Sequence, residues 1–141
     1  MANTPVTYNF NQVSVALGNH IVSGYGEGDV ITIAPSGEGT TKRVGADGEV
    51  VRSISTDKTN TVTFTLLKGS QTSVYLNNQF EMDQRTGDGM FPILIKDNKG
   101  GTKFSSSHAW VSQKAEVTIG ATAGDTAWTL HTAAADAHDL F

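Results

Sequence analysis

Cysteine is absent from the chain, which removes disulfides, thiolate-bound zinc and thiol nucleophiles together. The same lack makes the chain indifferent to redox conditions, so it points to no compartment. Charge is sparse, at 17% of residues, and the helix-favouring Leu, Glu, Lys and Arg are few beside Thr, Val, Ser, Ile and 15 glycines. A basic excess is missing as well: the net charge of −4 runs against general nucleic-acid binding, which relies on clustered Lys and Arg. No long apolar run exists; the densest, Phe91 to Ile95, is far too short to span a bilayer. Met1 to Pro5 has neither the basic nor the apolar stretch of a secretory signal. These features predict a protein with no membrane anchor that is cytoplasmic or assembled from the cytoplasm. What remains, 141 residues at 38% hydrophobic content, suits one compact domain over residues 1–141. A domain of that size buries about two-thirds of its unfolded surface and needs no metal or disulfide staple.

Periodicity of two dominates the chain. Tyr8, Phe10, Val13, Val15 and Leu17 alternate with polar or small residues, with a change of phase after Phe10 that predicts a bulge or two strand segments. Asp29 to Ala34 reads as a strand. The preceding Gly24-Tyr25-Gly26-Glu27-Gly28 superficially resembles a phosphate-binding glycine loop. It leads into a strand pattern and not a helix, so it reads as a turn. Thr40 to Val44 and Glu49 to Ile54 form a hairpin around Ala46-Asp47-Gly48, where Asp-Gly is read as a two-residue turn. Its arms continue through Ser55 to Asn60 into Thr61 to Leu67, where Val62, Phe64 and Leu66 alternate with Thr61, Thr63 and Thr65. One face of that strand is expected on a core and the threonine face on water or a polar channel. A single helix is predicted over about residues 72–84, capped by Ser70 or Thr72, with Leu76 and Phe80 on one face. Phe91 to Lys96, a loop over Asp97 to Gly101, and Thr102 to Gln113 follow as a second hairpin, with Trp110 as a core anchor. Glu116 to Ile119 and Ala127 to Thr132 are read as the closing strands. The alanine-rich tail, residues 133–141, is expected to fray or to form a turn of helix. The fold class is therefore mainly β: a β-barrel or sandwich of antiparallel strands with one flanking α-helix and a long protruding hairpin over residues 40–61.

Catalytic chemistry finds no foothold. The four histidines, His20, His108, His131 and His138, lack motif spacing for nucleophilic catalysis. His131, Asp136, His138 and Asp139 crowd one end as conceivable metal ligands, but a polar terminal tail is the better reading. Asp97 to Gly101 holds one acidic residue and no later acidic ligand, so it is not a calcium loop. No catalytic residue, cofactor or metal site is expected.

Charge is distributed unevenly. Thr40 to Thr61 carries Lys42, Arg43, Arg52 and Lys58 against Asp47, Glu49 and Asp57, whereas the rest of the chain holds six basic and eleven acidic residues. The hairpin is thus locally basic on an acidic body. Arms of about ten residues reach roughly 30 Å, and a lone two-stranded ribbon is marginal in water. Physics alone leaves two readings level: an in-sheet hairpin with solvated charges, or an arm that seeks the acidic surface of an identical subunit.

Val44-Gly45-Ala46-Asp47-Gly48-Glu49-Val50, with Arg52 and Ser53 after it, resembles the hairpin signature of a family of bacteriophage tail tube proteins. Gly24, Gly26, Gly28-Asp29 and Ile31-Thr32-Ile33 resemble that family's leading strand, and Asp57-Lys58 with Thr61 to Leu66 its main tube strand. Phe91-Pro92-Ile93 through Lys96-Asp97-Asn98, Phe104-Ser105-Ser106, Ala109-Trp110 and Trp128-Thr129-Leu130 are similar to the later hairpin and closing strand. The resemblance runs in order from about Tyr8 to Leu130 and leaves the tail uncovered.

It implies a structural, non-enzymatic subunit of the contractile-tail type, related in architecture to the tubes of secretion systems. Such subunits form hexameric rings that stack into a hollow tube through which DNA leaves the capsid without specific binding. The implied partners are copies of the chain itself, a tail sheath protein, and baseplate or terminator proteins. The implied location is the virion tail, after assembly in the host cytoplasm. Under this reading Arg43, Asp47, Gly48, Glu49, Arg52, Asp57 and Lys58 are expected to join subunits, and Thr61, Thr63 and Thr65 to face the channel. An injection-system tube subunit and, from another class, a carbohydrate-binding β-sandwich presenting Tyr25, Trp110 or Trp128 are the rival readings.

Overall fold

A computed structural model describes residues 10–26, 28, 30–98 and 102–139, without the side chains of Thr102 and of residues 136–139. A short 3-10 turn, Phe10–Gln12, leads into β1 (Val13–Leu17) and β2 (His20–Ile21). Then come β3 (Ile31–Pro35), β4 (Thr40–Val44), β5 (Val50–Ile54), β6 (Asn60–Leu67), α1 (Gln71–Thr86), β7 (Phe91–Asp97), β8 (Thr102–Gln113), β9 (Asp125–Thr132) and β10 (Asp136–Asp139). The 3-10 turn supplies the change of phase that the sequence shows after Phe10, while Tyr8, the first residue of that expected pattern, lies outside the described residues. So do Asp29, Lys99, Gly100 and Gly101.

All pairings are antiparallel, and the main sheet runs β2-β1-β7-β8-β9-β6-β3, with β10 added alongside β8. The path does not close into a barrel; it curls so that its strands share one core, as in a sandwich. Val15 and Leu17 of β1, Val62, Phe64 and Leu66 of β6, Phe91, Ile93 and Ile95 of β7, and Trp128 and Leu130 of β9 meet there with Leu76 of α1. Strict alternation in β6 and β7 delivers this: every second side chain is buried and the intervening ones are half-exposed or exposed. Each buried branched or aromatic side chain contributes about 2 kcal/mol of apolar transfer.

The helix is bounded by local chemistry. Ser70 accepts the backbone N–H of Thr72 at 3.2 Å, and Gly87, at φ +74°, ends the last turn by donating to the Asp83 carbonyl at 2.8 Å. Among the described residues no helix is long and apolar enough to cross a membrane.

Three expectations are corrected. Glu116 to Ile119 forms no strand: residues 114–124 run as an irregular segment between β8 and β9. The tail does not fray from Asp136 to Asp139 but pairs in register with Thr102 to Ser105. Trp110 is not a core anchor. An extra residue in β8 opposite β7 breaks the register between the Ile93–Ser106 and Phe91–Ala109 pairs. Buried positions consequently pass from Phe104 and Ser106 to Ala109 and Val111, which turns Trp110 to the other face.

Candidate subunit interface

The hairpin is built locally and stands alone. β4 and β5 pair only with each other, from Thr40 with Ile54 to Val44 with Val50. Beyond the last pair, the Gly45 N–H donates to Glu49 O at 2.7 Å and the Gly48 N–H to Gly45 O at 3.0 Å. The Asp47 carboxylate accepts the Glu49 N–H at 3.2 Å. Within this connection only Gly48 has a positive φ, +92°. The connection is therefore a three-residue loop closed by one left-handed glycine, not the two-residue turn expected from Asp-Gly. The ladder covers five residues per arm, about 17 Å, roughly half the expected reach; the remainder is the connection Ser55 to Thr59.

At the base, Ser36 N–H donates to Thr59 O at 3.0 Å and Ser55 N–H to Gly39 O at 2.9 Å. Asp57 Oδ1 accepts both the backbone N–H (3.0 Å) and the hydroxyl (2.6 Å) of Thr59. Those two hydrogen bonds hold the Asp57 carboxyl below the usual carboxylate range. The neighbouring Lys58 is exposed, with its carbonyl accepting from Asn60 Nδ2 at 3.2 Å.

All ten strand residues of the hairpin are exposed. One face carries Val44 opposite Val50, Lys42 opposite Arg52, and Thr40 opposite Ile54; the other carries Arg43 opposite Val51 and Thr41 opposite Ser53. The expected joining residues thus occupy three stations and do not form one cluster. Arg43 and Arg52 lie on opposite faces, Asp47, Gly48 and Glu49 in the turn, and Asp57 and Lys58 at the base. Like charges placed directly across a ladder are unfavourable, and among the described residues the only ion pair is Lys114 with Glu81, far from the hairpin in sequence. Sequence reasoning counted Lys42 but missed its register with Arg52, and it missed the exposed Val44, Val50, Val51 and Ile54 altogether. The adjacent Val50-Val51 was the available signal: in a strand two successive apolar residues point to opposite faces, so one core could not take both.

Thr61, Thr63 and Thr65 lie on the face of β6 turned away from the core, half-exposed. Thr63 is flanked in register by Thr32 of β3 and Thr129 of β9, and Thr61 by Ala34 and His131. His131 meets Trp110 edge-to-face at 6.4 Å on that same surface. The result is a hydroxyl-rich wall three strands wide. Trp128, by contrast, is buried and donates from Nε1 to Ser73 Oγ at 3.2 Å, and Tyr25 is half-buried against Phe10. Neither of these two offers the exposed stacking platform that a carbohydrate-binding sandwich needs; of the three aromatics named for that reading, only Trp110 lies on the outer face, half-exposed and against His131. The glycine turn at Gly24 and Gly28 uses positive φ angles of +73° and +78° and leads on to β3, as a turn and not a phosphate cradle.

The antiparallel sandwich with one flanking helix is a fold that this chain shares with other solved structures. The fold is shared with the tube-terminating cap of the anti-feeding prophage (TM-score 0.60, 13% identity, covering 98% of this chain and 96% of that one). It is shared equally with the sheath/tube terminator of the extracellular contractile injection system PVC in its extended state (TM-score 0.62, 11% identity, 96% and 99% covered). A chain of the PVC sheath-tube complex is similar as well (TM-score 0.59, 11% identity, 91% and 88% covered). The protein itself belongs to the bacteriophage PhiTE tail tube protein family, whose model matches residues 6–138. It is also 28% identical over 120 residues to structural protein ORF10 of Pseudomonas phage KPP10, covering 79% of this chain and 69% of the relative. It is accordingly a structural protein of the phage tail.

Proposed function

We propose that this chain is a non-enzymatic tube subunit that assembles with copies of itself into stacked hexameric rings, enclosing the channel through which DNA is ejected. The observation that carries the reading is the isolated β4–β5 ribbon. Its ten strand residues are exposed, four of them large and apolar, and it sets Lys42 against Arg52 with no carboxylate paired to either among the described residues. A ribbon of this kind is marginal alone and gains by covering its apolar side chains and meeting opposite charge on a neighbour. Arg43, Asp47, Gly48, Glu49, Arg52, Asp57 and Lys58 serve the joining, with Asp47 and Gly48 shaping the tip and Asp57 the base. Ring closure also occupies the free strand edges that a lone sheet would leave open to aggregation.

The threonine wall, Thr61, Thr63 and Thr65, faces the channel. Hydroxyls offer DNA no cationic contacts, so counterion release cannot hold it there and the polymer slides past. A sheath protein and terminator or baseplate proteins complete the tail, whose parts meet in the host cytoplasm before entering the virion. Electron microscopy of the purified protein tests the reading: rings or tubes of uniform width are expected, and a strictly monomeric species at high concentration would overturn it.

A further inference from the structure

The three most exposed large apolar side chains among the described residues are Ile119, Val117 and Ile54, at 84, 78 and 73%. Ile54 belongs to the hairpin face that carries Val44, Val50, Lys42 and Arg52. Val117 and Ile119 belong to the irregular segment 114–124, whose Glu116-Val117-Thr118-Ile119 has the composition of a strand but no strand partner. That segment is not loose. Lys114 Nζ pairs with Glu81 Oε1 on α1 at 3.1 Å, Lys68 Nζ donates to Thr118 O at 2.9 Å, and the Lys68 N–H donates to Gly124 O at 3.0 Å. It is therefore held open with its apolar side chains outward.

We infer that the hairpin of one copy docks on segment 114–124 of a neighbouring copy. The inference rests on the self-assembly reading above and names the surface the hairpin meets. Charge complementarity selects the occupant. The hairpin face is apolar at both ends and cationic in the middle, whereas the segment is apolar with the exposed Glu116 beside it. A cleft of about 580 Å³ adjoins the segment, lined among others by Glu116, Asp125, Asn77 and Trp128. Its two lysines, Lys68 and Lys114, are already committed to Thr118 O and Glu81, while neither Glu116 nor Asp125 has an ion-pair partner among the described residues. A guanidinium or ammonium arriving from outside supplies donors to such a set, and the flanking Val44, Val50 and Ile54 cover Val117 and Ile119.

Because the chain has no cysteine, introduced thiols report the contact without interference. Tubes assembled from the double variant Ile54→Cys/Val117→Cys are expected, on mild oxidation, to give a ladder of disulfide-linked multimers on a non-reducing gel. Ile54→Cys/Leu94→Cys is expected to give none, since the bond forms only at Cα separations of about 4.4–6.8 Å. Wild-type-like tubes without the 54–117 ladder would overturn the docking while leaving self-assembly intact; a wild-type chain that never assembles overturns the self-assembly reading instead. An independent measurement is charge exchange. Glu116→Arg is expected to abolish pelletable tubes at low salt, and adding Arg52→Glu to restore them. If Glu116→Arg assembles like the wild type, the docking is wrong.

Discussion

His20 stacks face-on against Tyr75, ring centroids 4.8 Å apart and planes inclined by only 9°, and so joins the end of the sheet to the helix. The same imidazole places Nε2 2.8 Å from Thr72 Oγ1, which also accepts the Ser23 N–H at 3.0 Å and lies 3.3 Å from the Ser23 carbonyl. Thr72 is fully buried, and its hydroxyl is the inner end of part-buried hydrogen bonds to His20 and Ser23. Thr72→Val keeps the shape and removes the acceptor, leaving the Ser23 N–H unpaired. A loss of about 1–3 kcal/mol is expected, read as a lower urea midpoint. Hydrogen exchange is expected to quicken in α1 and along β2.

Gly48 separates the hairpin from the body energetically. Its φ of +92° disfavours any side chain, so Gly48→Ala strains the tip by about 1 kcal/mol. The ribbon shares no sheet with the core, and the body should melt within about 2 °C of the wild type. Assembly is expected to fall while thermal stability holds. A large drop in melting temperature would show that the tip supports the fold.

Charge reversal distinguishes the two faces of the ribbon. Arg52 sits opposite Lys42, so Arg52→Glu relieves a repulsion within the subunit while removing a cation from the assembly face. Arg43 projects from the other face, opposite Val51. Arg52→Glu is therefore expected to raise the protein concentration needed for tubes about tenfold at low salt, with a smaller effect from Arg43→Glu. Both effects should shrink as salt screens the interaction. Sedimentation of tubes across a salt series is the measurement, and indifference to both reversals would remove these residues from the interface.

Features written in local chemistry were readable from the chain. The Ser70 cap needs only the next two residues, the β6 face only a period of two, and the hairpin only Asp47-Gly48 between β-rich arms. What escaped depends on residues far apart or on a shift of one position. One extra residue in β8 reverses the inward parity and takes Trp110 out of the core, although its neighbours alternate well. The pairing of residues 136–139 with 102–105 joins stretches more than thirty residues apart, and an alanine-rich tail carries no local sign of it. Glu116 to Ile119 has strand composition, yet β8 finds its partner in β9 across the intervening segment. In the hairpin the charges were countable, but the facing of Lys42 and Arg52 follows from ladder register. His20 was invisible as a helix anchor for the same reason: its partners Thr72 and Tyr75 are some fifty residues away.

Tyr25 gives the fold an alkaline limit. Its ring packs edge-on against Phe10 at 5.0 Å, its backbone bridges to Leu66, and burial pushes its phenol up to about 12 from 10.0. In the unfolded chain the phenol ionises near its ordinary value, so between pH 10 and 12 the folded state holds a proton that the unfolded state has released. Tyr25 therefore contributes stability fully present below pH 10, lost progressively as pH rises to about 12. A shift of that size is worth about 2.7 kcal/mol in a fully buried group, and solvent at the half-exposed ring reduces it to about 1 kcal/mol. Tyr75, raised by burial as well, adds a loss of the same sign. Tyr25→Phe removes only the first contribution while keeping the ring. Urea titrations at pH 9 and pH 11 are the check: the wild type should lose more stability between them than the variant, and equal losses would show that the phenol ionises alike in both states.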